Sequence, residues 1–391
     1  MPLRVLTLST LFPDARRPTF GVFVEQQTLA LAAHPDVAVQ VVAPLGLPPG
    51  PLARHPHYRD ALSLPDLDET WKGLTVHRPR FPVLPVIGGR FTPALMAHAL
   101  IPFLRRLRRD FPFDIVDAEF FYPDGPAAMR ISAALGVPFS CKARGSDIHW
   151  WGKQAGCRAQ IVAAGRAAGA TIAVSAALKT DMIAMGMRAD DILVHYTGVD
   201  FARFHVTDRA AAKVALGVAG PLFLTVGYLI ERKGQRIAID AVARLPDATL
   251  LIVGQGPAQA ELEAQIANLG LGHRVKLLGS IPHENLPPLF AAADIMVLPT
   301  ASEGLANVWV EALASGTPVV TTDVGGAREV IDRPAAGRLV PRDPDAVAVA
   351  LREILADPPS RADVRTVVDR FTWEANRDAL YHHFEGICSK V

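Results

Sequence analysis

The C-terminal half of this chain alternates short apolar runs with stretches of helical period, and that alternation restricts its fold more than any other feature. The runs span 222–226, 250–253, 275–278, 295–298 and 319–322. Each has four or five residues and is apolar nearly throughout, as in a parallel strand covered on both faces. With helices between them, they predict repeated βα units and an α/β class with parallel sheets. In the N-terminal half, strands are expected at 3–8, 37–43, 115–120, 138–142, 170–175 and 192–196. At 391 residues the chain exceeds one ordinary core and suits two domains.

Composition excludes several classes. The chain is 50% hydrophobic with a net charge of +1, so it is neither disordered nor a general polyanion binder, and no nucleic-acid partner is expected. Cys141, Cys157 and Cys388 have neither metal-ligand nor redox spacing, and an odd count argues against a disulfide framework; a reducing cytoplasm fits. The opening MPLRVLTLSTLF has a short apolar run and no A-x-A site, and Pro13-Asp14 interrupts it, so it reads as a first core strand rather than a signal peptide. No apolar segment reaches transmembrane length.

The most informative corner begins at the strand 295–298. Pro299 ends the strand, Glu303-Gly304 follow, and Glu311 comes eight residues after Glu303. Leu305, Val308, Trp309, Leu313 and Ala314 recur at helical spacing, placing Glu303 in a loop at a strand's carboxyl end and Glu311 on the next helix. Ligands of open α/β sheets bind along that edge. A carboxylate can accept both hydroxyls of a vicinal diol, such as a ribose or sugar edge. The helix start over Gly304, Leu305, Ala306 and Asn307 offers amide donors and a positive dipole end suited to phosphate. On spacing alone, an exposed Glu pair on an ordinary helix is the commoner arrangement.

A second cluster follows the strand 222–226: Gly227-Tyr228-Leu229-Ile230-Glu231-Arg232-Lys233-Gly234. Cations at a helix start suit a diphosphate, although an Arg-Lys pair alone is usually solvated surface. Gly254-Gln255-Gly256 follows the next strand and reads first as a tight turn, and Gly279 to His283 follows the third. Gly21, before a helix, leaves room for close backbone approach, or is a plain turn glycine. Asp66-Leu67-Asp68 is the one D-x-D string, but no apolar strand precedes it in its Pro-rich stretch, so it reads as solvated loop acids. Residues 78–110 hold Arg78, Arg80, Arg90, Arg105, Arg106, Arg108 and Arg109, with Phe81, Val83, Leu84, Val86 and Ile87 preceding an apolar helical face of Met96, Leu100, Phe103, Leu104 and Leu107. That is the pattern of a basic amphipathic helix at a membrane surface, or of a packed helix with a solvated Arg end.

The stretch 298–329 resembles the E-x7-E signature of retaining GT-B glycosyltransferases of family 4, through Glu303-Gly304, Asn307, Glu311-Ala312, Gly316, Pro318-Val319-Val320 and Gly325-Gly326. The resemblance covers most of the chain and is strongest over 172–340; Gly198-Val199-Asp200 and Phe204 match the segment ending the family's N-terminal domain. It implies a GT-B architecture: two doubly wound Rossmann-like domains with a cleft between them. The expected division is an acceptor-binding domain at 1–205, a nucleotide-sugar domain at 206–370, and a last helix within 371–391 returning to the first domain.

The resemblance implies a retaining hexosyltransferase of cell-surface polysaccharide synthesis. It would take a nucleotide-diphospho-sugar donor and a glycan or lipid-linked acceptor, with no cofactor and no metal. Glu303 would bind the donor sugar and Glu311 the ribose, with Arg232 and Lys233 on the diphosphate. Gly227, Tyr228, Gly254, Ile281 and His283 would line the donor site, and Gly21 and Asp147 the loops toward the acceptor. Two departures stand out. Where the family often has Gly-Arg-Leu this chain has Gly227-Tyr228-Leu229, and where it usually has His-Gly-x-Asp this chain has Arg144-Gly145-Ser146-Asp147. Arg144 is expected to act near the transferred sugar, with His149 as the alternative, and Asp147 could instead cap the next helix. The protein is expected in the cytoplasm, with peripheral contact at the inner membrane face. The competing readings are an inverting GT-B enzyme or sugar-nucleotide epimerase on the same fold, and a non-catalytic nucleotide-sugar-binding protein.

Overall fold

A computed structural model describes residues 2–55, 58, 62, 68–84 and 89–390. The chain forms two compact units, Met1–Thr197 with Trp373–Val391, and Gly198–Thr372. The divisions fall at 197/198 and 372/373, against the expected 205/206 and 370/371. The first shifts because Phe204 packs on Phe290 and His283 of the second unit. Val199 N–H donates to the Phe371 carbonyl at 2.8 Å, so the chain's entry into that unit and its exit run side by side.

The first unit contains β1 Leu3–Leu8, β2 Val37–Val42, β3 Leu45–Leu47, β4 Glu69–Trp71, β5 Leu74–His77, β6 Arg80–Pro82, β7 Ile115–Ala118, β8 Phe139–Ala143, β9 Ala170–Ala173 and β10 Ile192–Val194. Its main sheet runs β10-β9-β8-β7-β1-β2-β5-β4, with β3 and β6 paired separately. Every pair is parallel except β4 with β5, a hairpin closed by Lys72 and Gly73, both at positive φ. Strands β3 to β6 fall outside the expected runs, because they are three or four residues long in a polar, Pro-rich stretch. Asp68 pairs with His77 Nδ1 at 2.5 Å; Asp66 and Leu67 of the D-x-D string, like Val86 and Ile87, lie outside the described residues.

The second unit contains β11 Leu222–Val226, β12 Thr249–Val253, β13 Val275–Leu277, β14 Ile295–Leu298, β15 Val319–Thr322 and β16 Gly337–Val340. All pairs are parallel and the order is β13-β12-β11-β14-β15-β16. The first strand therefore lies between the second and the fourth, the doubly wound arrangement, with its reversal point between β11 and β14. Leu250, Ile252, Ile295 and Val297 pack with Ala238, Val242, Val347 and Leu351 of two helices that cover one face of the sheet.

The helix Thr92–Asp110 runs through Pro102, which is exposed. Its apolar stripe does not face solvent. Met96, Leu100 and Leu104 are buried, and the helix packs on the helix Asp124–Leu135. Of the two readings of this stripe, the packed helix is the one the structure shows. Nor do the arginines share one surface: Arg78 is buried against Glu69 and the Pro13 carbonyl, Arg108 bonds the Leu135 carbonyl, and Arg105, Arg106 and Arg109 are exposed. Among the described residues no helix is long and apolar enough to cross a membrane.

The last helix, Trp373–Cys388, completes the first unit. Leu380, Phe384 and Ile387 are buried in one cluster with Val5, Leu31, Ile115 and Ile172. Phe384→Ala should thus destabilise the protein by about 3–5 kcal/mol, the range for deleting a fully buried aromatic ring. Chemical denaturation followed by circular dichroism measures it; a loss below about 1 kcal/mol would mean the helix only rests on the surface.

Candidate functional site

In the second unit, the reversal of strand order makes neighbours of the loops after β11 and β14. Lys233 and Arg232 lie on a single 3-10 turn, Glu231–Lys233, just after β11, and Glu303 lies just after β14. Lys233 Nζ is 2.6 Å from Glu303 Oε1, with both side chains largely buried, and Arg232 Nη1 is 3.6 Å from the same oxygen. Thr300 Oγ1 donates to it at 3.0 Å. Arg232 also donates to the Ser302 carbonyl, and Ala301 N–H to the Arg232 carbonyl at 2.7 Å, joining the two loops through their backbones. Two cations meet one carboxylate, so the corner keeps an excess of positive charge.

The backbone around Glu303 is shaped by the turn after β15. Gly326 N–H donates to the Gly304 carbonyl at 2.7 Å. A Cβ on Gly325, whose φ is +51°, would lie 2.0 Å from the Glu303 carbonyl oxygen, so only glycine lets this turn press against the loop. Leu305 and Ala306 are buried and Asn307 opens the helix Asn307–Ala314. On that helix Glu311 is 8% exposed. Its Oε1 is 2.8 Å from His283 Nε2, while its Oε2 is buried with no hydrogen-bond partner among the described residues. His283 is thus placed as the positioning partner of Glu311. An unsatisfied buried carboxylate oxygen is costly and marks where a donor is missing.

The remaining expected donor-site residues surround this corner less closely. Tyr228 is exposed, with its carbonyl accepting from Gln235 Nε2 at 3.1 Å. Gly227 N–H donates to the Val253 carbonyl and Gly254 N–H to the Gly279 carbonyl, so these glycines stitch the loops after β11, β12 and β13 together. Ile281 is half-buried beside the turn His283–Asn285. Cavities of about 550 and 520 Å³ in this unit have other walls, the first with Asp323, Arg328 and Arg342, the second with Glu231, Arg236 and Glu261. Neither wall includes Glu303, Lys233 or Glu311.

In the first unit the sheet's order reverses between β1 and β7, and the expected residues lie at that edge. Gly21, φ +68°, precedes the helix Val22–Ala32; a Cβ there would sit 1.6 Å from the Leu11 carbonyl oxygen. Glycine is thus needed here for the close approach to the chain's own loop at Leu11. Thr10 N–H donates to Asp124 Oδ2 at 3.0 Å, tying the loops after β1 and β7. Arg144 directly follows β8 and pairs with Glu119, which directly follows β7. His149 is engaged elsewhere, 2.8 Å from Asp181.

Asp147 corrects the sequence reading in two ways. It does not face outward toward an acceptor: it is fully buried, its carboxylate accepting from the amides of Phe121, Arg144, Gly145 and Ile148 at 2.8–3.1 Å. Nor is it the residue before the helix Ser146–His149, a place held by Gly145. Asp147 holds the loop that presents Arg144.

The sequence reading missed a group of buried ionisable residues, Asp117, Glu119, Asp124, Lys142 and His195, together with the buried amide Gln27 and the half-buried His383. Their signal was a charge inside an apolar strand, as Asp117 and Glu119 are in IVDAEF and Lys142 is in β8. Burial raises Asp124 to about 7 and lowers Lys142 to about 7. Burial and the Glu119 charge hold Asp117 well above the ordinary carboxyl range. For Glu119 burial opposes ionisation, but the charges of Arg144 and Lys142 outweigh it and keep the carboxyl below its usual value. Burial, with Lys142 beside them, holds His195 well below its usual value and His383 at about 4.

Comparison with known proteins bears on this geometry. Residues 207–368 match the family described as "Glycosyl transferases group 1" and residues 21–203 match "Glycosyltransferase Family 4". The chain is 27% identical to the Bacillus subtilis (strain 168) protein named "Putative teichuronic acid biosynthesis glycosyltransferase TuaC", over 98% of this chain and 99% of that one. It is also 27% identical to the 2-deoxystreptamine glucosyltransferase of Streptomyces kanamyceticus, over 84% of this chain and 92% of the relative. Among solved structures it is similar to Anabaena Alr3699/HepE in complex with UDP and glucose, with a TM-score of 0.75 at 22% identity over 98% and 99% of the two chains. That identity establishes a shared fold alone.

The buried Lys142 makes a pH-dependent prediction. Its amine falls from an ordinary 10.5 to about 7 on folding, so between those values the unfolded chain binds more protons. Stability from this group therefore rises with pH across that window and is constant below it. Relative to Lys142→Met, the wild type should gain melting temperature as pH rises from about 7 toward 10; a constant difference across that range would show that the amine keeps its ordinary affinity for protons.

Proposed function

We propose that this chain, which belongs to the group 1 glycosyltransferases, transfers a hexose with retention at the anomeric carbon. The donor is a nucleotide-diphospho-sugar and the acceptor a glycan or lipid-linked glycan of a cell-surface polysaccharide. The observation that carries this reading is the meeting of Lys233 and Arg232 with Glu303 at the strand reversal of the second unit. A carboxylate for sugar hydroxyls beside two cations for a diphosphate is what a sugar nucleotide requires. Similar proteins support the substrate class: one structural neighbour holds UDP and glucose, and a relative matched over 99% of its length is named as a putative teichuronic acid biosynthesis glycosyltransferase.

The roles follow from charge. Glu311, held through Oε1 by His283, offers Oε2 to a ribose hydroxyl, which would satisfy that orphaned atom. Glu303 orients the donor sugar. As the bond from the anomeric carbon to the phosphate oxygen breaks, negative charge grows on the diphosphate, and Lys233, Arg232 and the amides from Gly304 to Asn307 stabilise it. The acceptor oxygen bonds the anomeric carbon on the face the phosphate leaves, and the departing phosphate oxygen takes the acceptor's proton. No carboxylate nucleophile is used, in contrast to retaining glycosidases, and no metal is needed where two cations already meet the diphosphate.

A thermal-shift screen of UDP, GDP and ADP identifies the nucleotide, since a ligand of the native state raises its melting temperature. With the matching sugar nucleotide, Glu303→Gln and Lys233→Ala should each lower kcat by on the order of 10²–10³ while the protein stays folded, as for a lost transition-state contact. Turnover should also persist in EDTA. Near-wild-type rates in either variant, or EDTA inactivation reversed by Mn²⁺, would refute the assignment.

The acceptor class adds a location: the cytoplasmic face of the membrane. With the apolar stripe of the helix Thr92–Asp110 spent on the core, contact would rest on the exposed Arg105, Arg106 and Arg109, each contributing about 1 kcal/mol near an anionic surface. The protein should sediment with phosphatidylserine vesicles at low salt, and Arg105, Arg106 and Arg109 changed together to Gln should abolish it. Wild-type protein left in the supernatant points to a soluble acceptor.

A further inference from the structure

Arg144 is restrained on one side and unspent on the other. Its Nε donates to the Glu119 carbonyl at 2.8 Å and its Nη2 pairs with Glu119 Oε2. The Phe23 ring lies 4.7 Å from the guanidinium carbon. Asp147 fixes the Arg144 backbone amide at 3.1 Å. Nη1 has no hydrogen-bond partner among the described residues, and it is not among the buried atoms lacking one. The side chain is only 7% exposed, and a guanidinium cannot shed its charge. Such a cation needs a counter-charge, which Glu119 supplies from the buried interior.

Beneath Glu119 lies a layer that serves this carboxylate. Gln27 Nε2 donates to its Oε1. Asp117, kept protonated by burial and by the Glu119 charge, supplies a further hydrogen bond. Lys142, fully buried, bonds Gln27 Oε1 and lies 2.9 Å from His195 Nδ1. His195 Nε2 is 2.8 Å from the Asn376 carbonyl, which can only accept, so Nδ1 is the ring's acceptor and receives from Lys142. Lys142 thus has neutral hydrogen-bond partners only, and when protonated its charge acts on Glu119. Stability alone does not call for this arrangement, because apolar residues of similar volume often replace a buried ion pair without loss. The layer sits where β7 and β8 end, the edge at which doubly wound sheets bind ligands.

We propose that Glu119 is a positioning residue for the transfer reaction, holding the Arg144 guanidinium so that Nη1 alone faces outward as a fixed donor to an anionic or hydroxyl oxygen of substrate. This rests on the reading above that Arg144 contacts substrate. Glu119 keeps the shape of the fork as well as its charge: with two of the guanidinium nitrogens bonded to one residue, the plane cannot swing. An arginine without that anchor would be a mobile charge.

The test is hydrolysis of UDP-glucose, or of the sugar nucleotide that the screen selects, without acceptor. Glu119→Gln, nearly the same shape, should lower kcat roughly tenfold or more with donor KM within about twofold, as expected when orientation rather than binding is lost. Arg144→Ala should be slow and recover activity when millimolar guanidinium is added. The double variant Arg144→Ala/Glu119→Gln should show no recovery, because the carboxylate that seats guanidinium is gone. A merely structural Glu119 would not gate that rescue. Unchanged kcat in Glu119→Gln, or rescue persisting in the double variant, overturns this inference alone. If Arg144→Ala does not fold, the kcat of Glu119→Gln decides. A wild type that hydrolyses no nucleotide sugar overturns both the transfer reading and this inference.

Discussion

Lys233 and Glu303 are seventy residues apart in the chain and 2.6 Å apart in space. They meet because β11 and β14 are adjacent strands that enter the sheet from opposite arms of its doubly wound order. Had the strands followed sequence order, β12 and β13 would stand between β11 and β14 and the two loops would be separated. The contact is also fixed in depth. Arg232 and Ala301 exchange a backbone hydrogen bond, and the Gly325 turn closes on the Glu303 carbonyl. The corner is therefore held by main-chain geometry, with the side chains free to respond to a ligand's charge.

The first unit manages charge differently. At its own reversal point, carboxylates and cations are taken inside, where each interaction is stronger and each unpaired group more costly than in water. Burial pushes the Asp117 carboxyl well above its usual range and the His195 imidazole well below its own, while the charges of Arg144 and Lys142 hold Glu119 below its usual value. One unit thus brings two cations to one carboxylate at a largely buried corner, the other sets an arginine on a buried support.

The order of elements and the corner around Glu303 were legible in sequence because parallel strands and their helices leave strong patterns. β1, β11, β14 and β15 begin and end where the apolar runs do. The short strands β3 to β6 left no pattern, as three residues are too few for a period. The amphipathic stripe from Met96 to Leu104 was real, but periodicity cannot say what covers a stripe, and here the helix Asp124–Leu135 does. Asp147 was misplaced because a carboxylate beside a loop reads the same whether it turns out to ligand or in to four amides. Glu119 was invisible as a partner of Arg144, since pairing across neighbouring strands depends on register, which composition does not carry.

The helix Trp373–Cys388 has a consequence in time. Its residues Leu380, Phe384 and Ile387 finish a core begun by Val5 and Leu31, so the first unit is assembled from both ends of the sequence with the whole second unit inserted between. During synthesis the second unit can close as soon as it has left the ribosome, whereas the first must keep an apolar face uncovered until the helix Trp373–Cys388 has followed it. The half of the protein begun first is thus the half completed last, and for that interval its exposed face is a surface that chaperones, or neighbouring nascent chains, can reach.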